Sequence, residues 1–172
     1  MNNWEKFYKT HKFKEPSNFA KECAGQMDNV VELGCGEGRD LRYFRSKGIN
    51  AIGVDPAYES EFIVKTTAEE YIKKAKSPDC VYTRFFWHSI PHKTQLKILR
   101  WVKGFLFIEA RTTQDKPKNI YGKHKRYLVD VPQLVKDLKK NNFQILYLQE
   151  GIGFAKHKNE DPHIIRVIAV KQ

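Results

Sequence analysis

Glu32, Gly34, Gly36 and Gly38 fall on alternate positions directly after the apolar pair Val30-Val31. Asp55 closes a second apolar run, Asn50-Ala51-Ile52-Gly53-Val54, about 20 residues past the glycines. An apolar run closed by an acid, then spaced glycines, then Leu41 and Phe44 at helical spacing reads as strand, tight turn and helix. Glycines let such a turn take positive φ and approach a ligand, and the helix that follows offers free N–H groups at its start. An acid at the distance of Asp55 is placed to accept hydrogen bonds from ribose hydroxyls. The two stretches together make a nucleoside site. A dinucleotide fingerprint would need a third glycine where Arg39 stands, and no Gly-Lys-Ser/Thr follows to make a phosphate loop.

The elements that must position these residues follow in order. Pro16 and Ser17 open a helix running to Cys23 or Ala24. Strands are expected over Val30–Leu33, Asn50–Asp55, Phe62–Val64, Cys80–Phe86, Phe105–Glu109, Phe143–Leu148 and Ile164–Val170. Helices are expected from Ala68, over Thr94–Val102 and over Pro132–Lys140, the last with Leu134 and Leu138 on one face. Helices separate the first five strands, while a hairpin-like link through Gly151-Ile152-Gly153-Phe154 joins the last two. That order predicts an α/β fold: a seven-stranded, mostly parallel sheet with helices on both faces and the last strand antiparallel. Ligands of such a sheet bind beyond the carboxyl ends of the strands. The site is therefore expected among Glu32–Gly38, Asp55, Arg84–His88 and Glu109–Arg111.

At 172 residues and 41% hydrophobic, the chain suits one core and is too short for two ordinary domains. No stretch reaches the roughly 18 apolar residues of a membrane span, and the first residues lack a signal peptide's apolar centre, so a cytoplasmic location is expected. Cys23, Cys35 and Cys80 lack metal-ligand spacing, and their odd number argues against a disulfide framework. They read as small buried residues, and no metal is expected. Lys and Arg outnumber Asp and Glu by 31 to 20, a formal charge of +11 with a pI near 9.5. This favours an anionic partner without choosing among nucleic acid, a phosphorylated small molecule and an acidic polysaccharide.

Glu-x-Gly-x-Gly-x-Gly with a later acid resembles the class I S-adenosylmethionine-dependent methyltransferases, whose Rossmann-like fold has the strand and helix order given above. The resemblance implies S-adenosylmethionine as cofactor and S-adenosylhomocysteine as product, with Glu32, Gly34, Cys35 and Gly36 facing the methionine part and Asp55 and Pro56 the ribose. Thr67 stands where such enzymes commonly use an Asp toward adenine, so Thr67, Ala68 or Glu69 would serve instead. Asn3-Trp4, Pro16-Ser17-Asn18-Phe19-Ala20 and Gly38-Arg39-Asp40 resemble small methyltransferases of the tellurite and thiopurine type. There residues 1–27 would fold as a lid over the cofactor, with Tyr8 among its contacts, above a catalytic domain of residues 28–172. Arg84-Phe85-Phe86-Trp87-His88-Ser89-Ile90 resembles the fourth motif of O-methyltransferases, which implies that Arg84 and Phe85 touch the cofactor and His88 faces the acceptor.

Methyl transfer from a sulfonium needs alignment and exclusion of water more than activation of the donor. A base matters only where the acceptor must shed a proton, and His88 is the best candidate. The loop after the fifth strand adds Arg111, whose planar fork suits phosphate or carboxylate, and a Tyr121-Gly122-Lys123-His124 run. With Glu109-Ala110-Arg111 and Glu160-Asp161-Pro162-His163, that run resembles methyltransferases of bacterial surface-polysaccharide gene clusters, including those thought to make methylated phosphoramidate groups. His88, Arg111 and His124 are thus the expected catalytic residues, acting on a small anionic acceptor by O-methylation. An RNA methyltransferase, a tellurite- or thiol-detoxifying methyltransferase and a noncatalytic cofactor-binding protein are the alternatives.

Overall fold

The computed structural model describes residues 15–116, 126–157 and 159–172. The elements are α1 (Asn18–Cys23), β1 (Asn29–Leu33), α2 (Arg39–Ser46), β2 (Asn50–Asp55), β3 (Ile63–Lys65), α3 (Ala68–Lys74), β4 (Cys80–Arg84), α4 (His92–Trp101), β5 (Phe105–Arg111), α5 (Val131–Lys140), β6 (Phe143–Gly151) and β7 (Ile164–Lys171). Strand order is β3-β2-β1-β4-β5-β7-β6. The first five strands pair in parallel, and β7 runs antiparallel to both β5 and β6. Each strand begins within two residues of its expected position, and the last strand is antiparallel as its hairpin-like link predicts. β6 runs on to Gly151, further than expected, because it pairs with β7 along the whole hairpin.

Successive side chains on a strand point to opposite faces, and both faces are covered over the central strands β1, β4, β5 and β7, while most of β6 is exposed. Val30, Cys80, Tyr82 and Phe107 pack with Phe19 of α1 and with Leu41 and Phe44 of α2. Their neighbours Val31, Val81, Leu106 and Ile108 face the other way, onto Ile98 and Leu99 of α4 and Leu134 and Leu138 of α5. Near-continuous apolar runs are what a sheet buried on both sides requires. Three helices start on side-chain caps: Ser17 Oγ accepts from Ala20 N, Thr67 Oγ1 from Glu70 N and Asp130 Oδ1 from Gln133 N. Among the described residues, no helix is long and apolar enough to cross a membrane.

Strand order reverses between β1 and β4, since the chain builds outward to β2 and β3 on one side and to β5 on the other. The crevice beyond the carboxyl ends of these two strands is where such a sheet offers a site.

Candidate active site

The turn from β1 into α2 holds Gly34, Gly36 and Gly38 at φ of +74°, +56° and +79°. Gly34 also lies against the Phe86 ring, which a Cβ would approach to 2.4 Å. Only glycine satisfies both conditions. Asp55, at the end of β2, fastens this turn: its Oδ2 accepts from Gly36 N at 2.9 Å and its Oδ1 from Ala57 N at 2.8 Å. Burial raises its pKa, and the two N–H groups oppose that shift. Each carboxylate oxygen keeps a second lone pair for a ligand.

Glu32 is 4% exposed, and its Oε2 has no hydrogen-bond partner. Burial, followed by the neighbouring Asp40 carboxylate, pushes its pKa well above the ordinary carboxylate range, although Arg84 opposes this. A buried, unsatisfied acid costs stability unless a cation or donor arrives to meet it. With a raised folded-state pKa, the folded protein holds this proton longer than the unfolded chain. Stability on this account is full below about pH 4.3 and falls as pH rises through the folded value. Replacing Glu32 by Gln should stabilise the ligand-free protein by about 1–2 kcal/mol at neutral pH and flatten that decline. Urea unfolding of both proteins across pH checks this, and a less stable Gln variant at neutral pH would contradict it.

Asp40 in α2 accepts from both the N–H and the Oγ of Ser17, each at 2.7 Å, and from the Tyr82 hydroxyl at 3.0 Å. These bonds pin the start of α1 beside the glycine turn. Cys35 hangs behind the turn in the space left by the missing side chain of Gly53, where a Cβ would come within 2.5 Å of its sulfur. Burial, with Glu32 adding to it, pushes its thiol pKa well up, so the group remains a thiol and packs.

β4 leads into the other half of the site through Phe85, a non-glycine residue at φ +52°. Such a conformation in an aromatic residue is strained and marks a place the surroundings hold fixed. Phe85 N donates to Glu109 O, and its ring lies 4.6 Å from the Arg84 guanidinium carbon and 5.7 Å from that of Arg111. The Arg84 Nε is 2.8 Å from Glu109 Oε1, while Glu109 Oε2 accepts from Arg166 Nε at 2.8 Å. Arg166 continues to Glu22 of α1 at 2.7 Å. Arg84 is therefore neutralised by a buried chain of charges that also anchors α1, a network that sequence reading did not find.

Arg111 differs from expectation in the same way. Its Nη1 donates to Asp115 at 2.8 Å and its Nη2 to Glu160 at 2.7 Å, so both terminal nitrogens of the fork are engaged by carboxylates. His88 is 5% exposed; its Nδ1 accepts from Arg111 N at 3.1 Å and its ring edge meets Phe85.

A single cavity of about 890 Å³ joins these groups. It is lined by Glu32, Gly34, Cys35, Asp55, Pro56, Thr67, Ala68, Arg84, Phe85, His88 and Arg111, eleven of the residues expected from sequence. Gly36 contributes through its N–H to Asp55, whereas Tyr8 and His124 lie outside the described residues. The cavity also takes in residues 15–18 and Lys21 from the N-terminal segment, and Arg126, Phe154, Lys156 and His157 from later in the chain. Lys156 and His157, also on the β6–β7 connection, were not singled out from sequence, because nothing in local spacing tells that this connection reaches the cavity.

Comparison with known proteins accords with this geometry. The model of a family described as a methyltransferase domain matches residues 6–148. No curated protein matches the chain. Among solved structures, the chain is similar to a SAM-dependent methyltransferase from Archaeoglobus fulgidus at 19% identity and TM-score 0.62, covering 88% of this chain and 94% of that one. It is similar to TehB from Haemophilus influenzae at 14% identity and TM-score 0.72, covering 99% of this chain and 68% of that one. A third is the 1,6-didemethyltoxoflavin-N1-methyltransferase of Burkholderia thailandensis, solved with its acceptor and S-adenosylhomocysteine, at 16% identity and TM-score 0.67 over 90% and 79% of the two chains.

Proposed function

The chain belongs to the methyltransferase-domain family matched over residues 6–148, and from that premise we propose that it transfers a methyl group from S-adenosylmethionine to an oxygen of a small anionic acceptor. The observation that carries the cofactor is the unpartnered Glu32 oxygen buried at the glycine turn, inside the 890 Å³ cavity. It matches the cofactor's ammonium, and the remaining lone pairs of Asp55 match the ribose hydroxyls. Thr67, Ala68 and Glu69 line the cavity and would meet the adenine. When bound, S-adenosylmethionine supplies an electrophilic methyl and leaves as S-adenosylhomocysteine.

The chain's own residues bind, orient and exclude water. Residues 15–18 and Lys21 stand at the cavity wall as the described part of a lid, held by the Ser17–Asp40 and Glu22–Arg166 contacts. Phe85 and Phe86 add aromatic surface to the same cavity. Arg126, Lys156 and His157 also line the cavity, and their basic character favours an anion in it. The three buried free cysteines suit a reducing cytoplasm.

The +11 charge favours a second reading, methylation of RNA. Release of S-adenosylhomocysteine, followed with a panel of small phosphate and carboxylate acceptors and with short RNAs at two salt concentrations, tests both. Turnover with a small oxyanion supports the first reading. Turnover with RNA alone, lost steeply on adding salt, would replace it with the second.

A further inference from the structure

We infer that His88 meets the methyl acceptor as a hydrogen-bond donor through Nε2 and does not act as its base, so that the acceptor enters already ionised. This rests on the methyl-transfer reading above.

The argument begins at the end of β4. Arg84 opposite Glu109 is the last paired position between β4 and β5, and the chain then turns away at Phe85. The N–H of Arg111, two residues further along β5, donates instead to His88 Nδ1 at 3.1 Å. A backbone N–H can only donate. In a neutral imidazole one ring nitrogen accepts and the other carries the proton, so this bond places the proton on Nε2. A histidine in that tautomer has no lone pair at Nε2 with which to take a proton. Moving the proton to Nδ1 would set two donors against each other and strip a buried N–H of its acceptor.

The ring is not placed to escape this constraint. His88 is buried, its edge rests on Phe85 at 5.8 Å between centroids, and its carbonyl accepts from Tyr127 N at 2.7 Å. Nearby carboxylates are committed to cations: Glu109 to Arg84 and Arg166, and Asp115 and Glu160 to Arg111. An oxyacid with at least two oxygens, such as a phosphate or carboxylate, suits this arrangement. One oxygen attacks while another receives the Nε2 proton in a hydrogen bond. The balance needs no proton transfer: the acceptor's lone pair becomes the new O–CH₃ bond, the pair of the broken C–S bond leaves with the donor, and the acceptor loses one negative charge.

The test is a long-range proton–nitrogen correlation spectrum of the whole protein with isotope-labelled histidine, recorded with and without S-adenosylhomocysteine. His88→Asn supplies the assignment. Nδ1 should appear unprotonated and Nε2 protonated; the opposite tautomer, or averaging between the two, overturns the inference. Inorganic phosphate, phenyl phosphate and acetate are then added in turn to the protein holding S-adenosylhomocysteine. At least one should shift the Nε2–H resonance without altering the tautomer. No shift with any of the three would remove His88 from the acceptor contact, and transfer of the proton to Nδ1 would restore it as a base. Calorimetry of S-adenosylhomocysteine on the same sample separates the two levels. Absent binding would defeat the methyl-transfer reading, while the cofactor-free spectrum still decides the tautomer.

Discussion

Replacing Glu109 with leucine should cost about 3–5 kcal/mol of folding free energy, the amount expected when one partner of a buried ion pair is removed and the other charge is left behind. Two guanidiniums depend on this carboxylate. Arg84 Nε and Arg166 Nε each lie 2.8 Å from one of its oxygens, and Glu109 itself is fully buried. Arg166 would keep its contact with Glu22, a half-exposed residue, whereas Arg84 would face the cavity with no counter-charge from β5. Burial pulls the Arg84 pKa down, but Glu109 and then Asp40 outweigh it and leave it raised, so Arg84 stays charged in the intact protein. Urea unfolding should show the midpoint shift, with Glu109→Gln falling between leucine and wild type because it retains hydrogen bonding without charge. A loss under about 1 kcal/mol would mean that the network is spectator chemistry.

Asp55→Ala should weaken S-adenosylmethionine binding by about 100-fold or more, which corresponds to about 2.7 kcal/mol. Three losses combine. The ribose would lose its acid, Gly36 N would lose the acceptor that holds the glycine turn, and Ala57 N would lose the acceptor that fixes the exit of β2. Hydrogen bonds to a charged group contribute about 1.5–3 kcal/mol each, so the last two alone can deform the cofactor wall. Asp55→Asn should bind nearly as poorly, since its amide can offer an acceptor to only one of the two N–H groups. Affinity within threefold of wild type for the alanine variant would detach Asp55 from the cofactor.

Much of this was legible in the residues themselves. The alternating glycines, the acid near the end of each of the first two strands and the Pro16-Ser17 helix start are local signals, and each element they predict is present. The sheet plan was legible because strands buried on both faces write continuous apolar runs. What could not be read depends on contacts between distant parts of the chain. Glu22 and Arg166 are 144 positions apart and meet only once β7 is inserted beside β5. Arg111 has the residue type for an anion clamp, yet Glu160, on the connection into β7, occupies one arm. His88 has the residue type of a base, but its role is set by a backbone N–H exposed where β4 turns away. Phe85 gave no warning of its positive φ, a conformation imposed by the end of the sheet.

The most direct measurement is a calorimetric titration of the purified protein with S-adenosylmethionine, repeated in the presence of S-adenosylhomocysteine. One site with a Kd on the order of 1–10 μM, competed by S-adenosylhomocysteine, is the predicted result. No saturable heat at about millimolar cofactor would contradict the assignment of Glu32, the glycine turn and Asp55 as a nucleoside site.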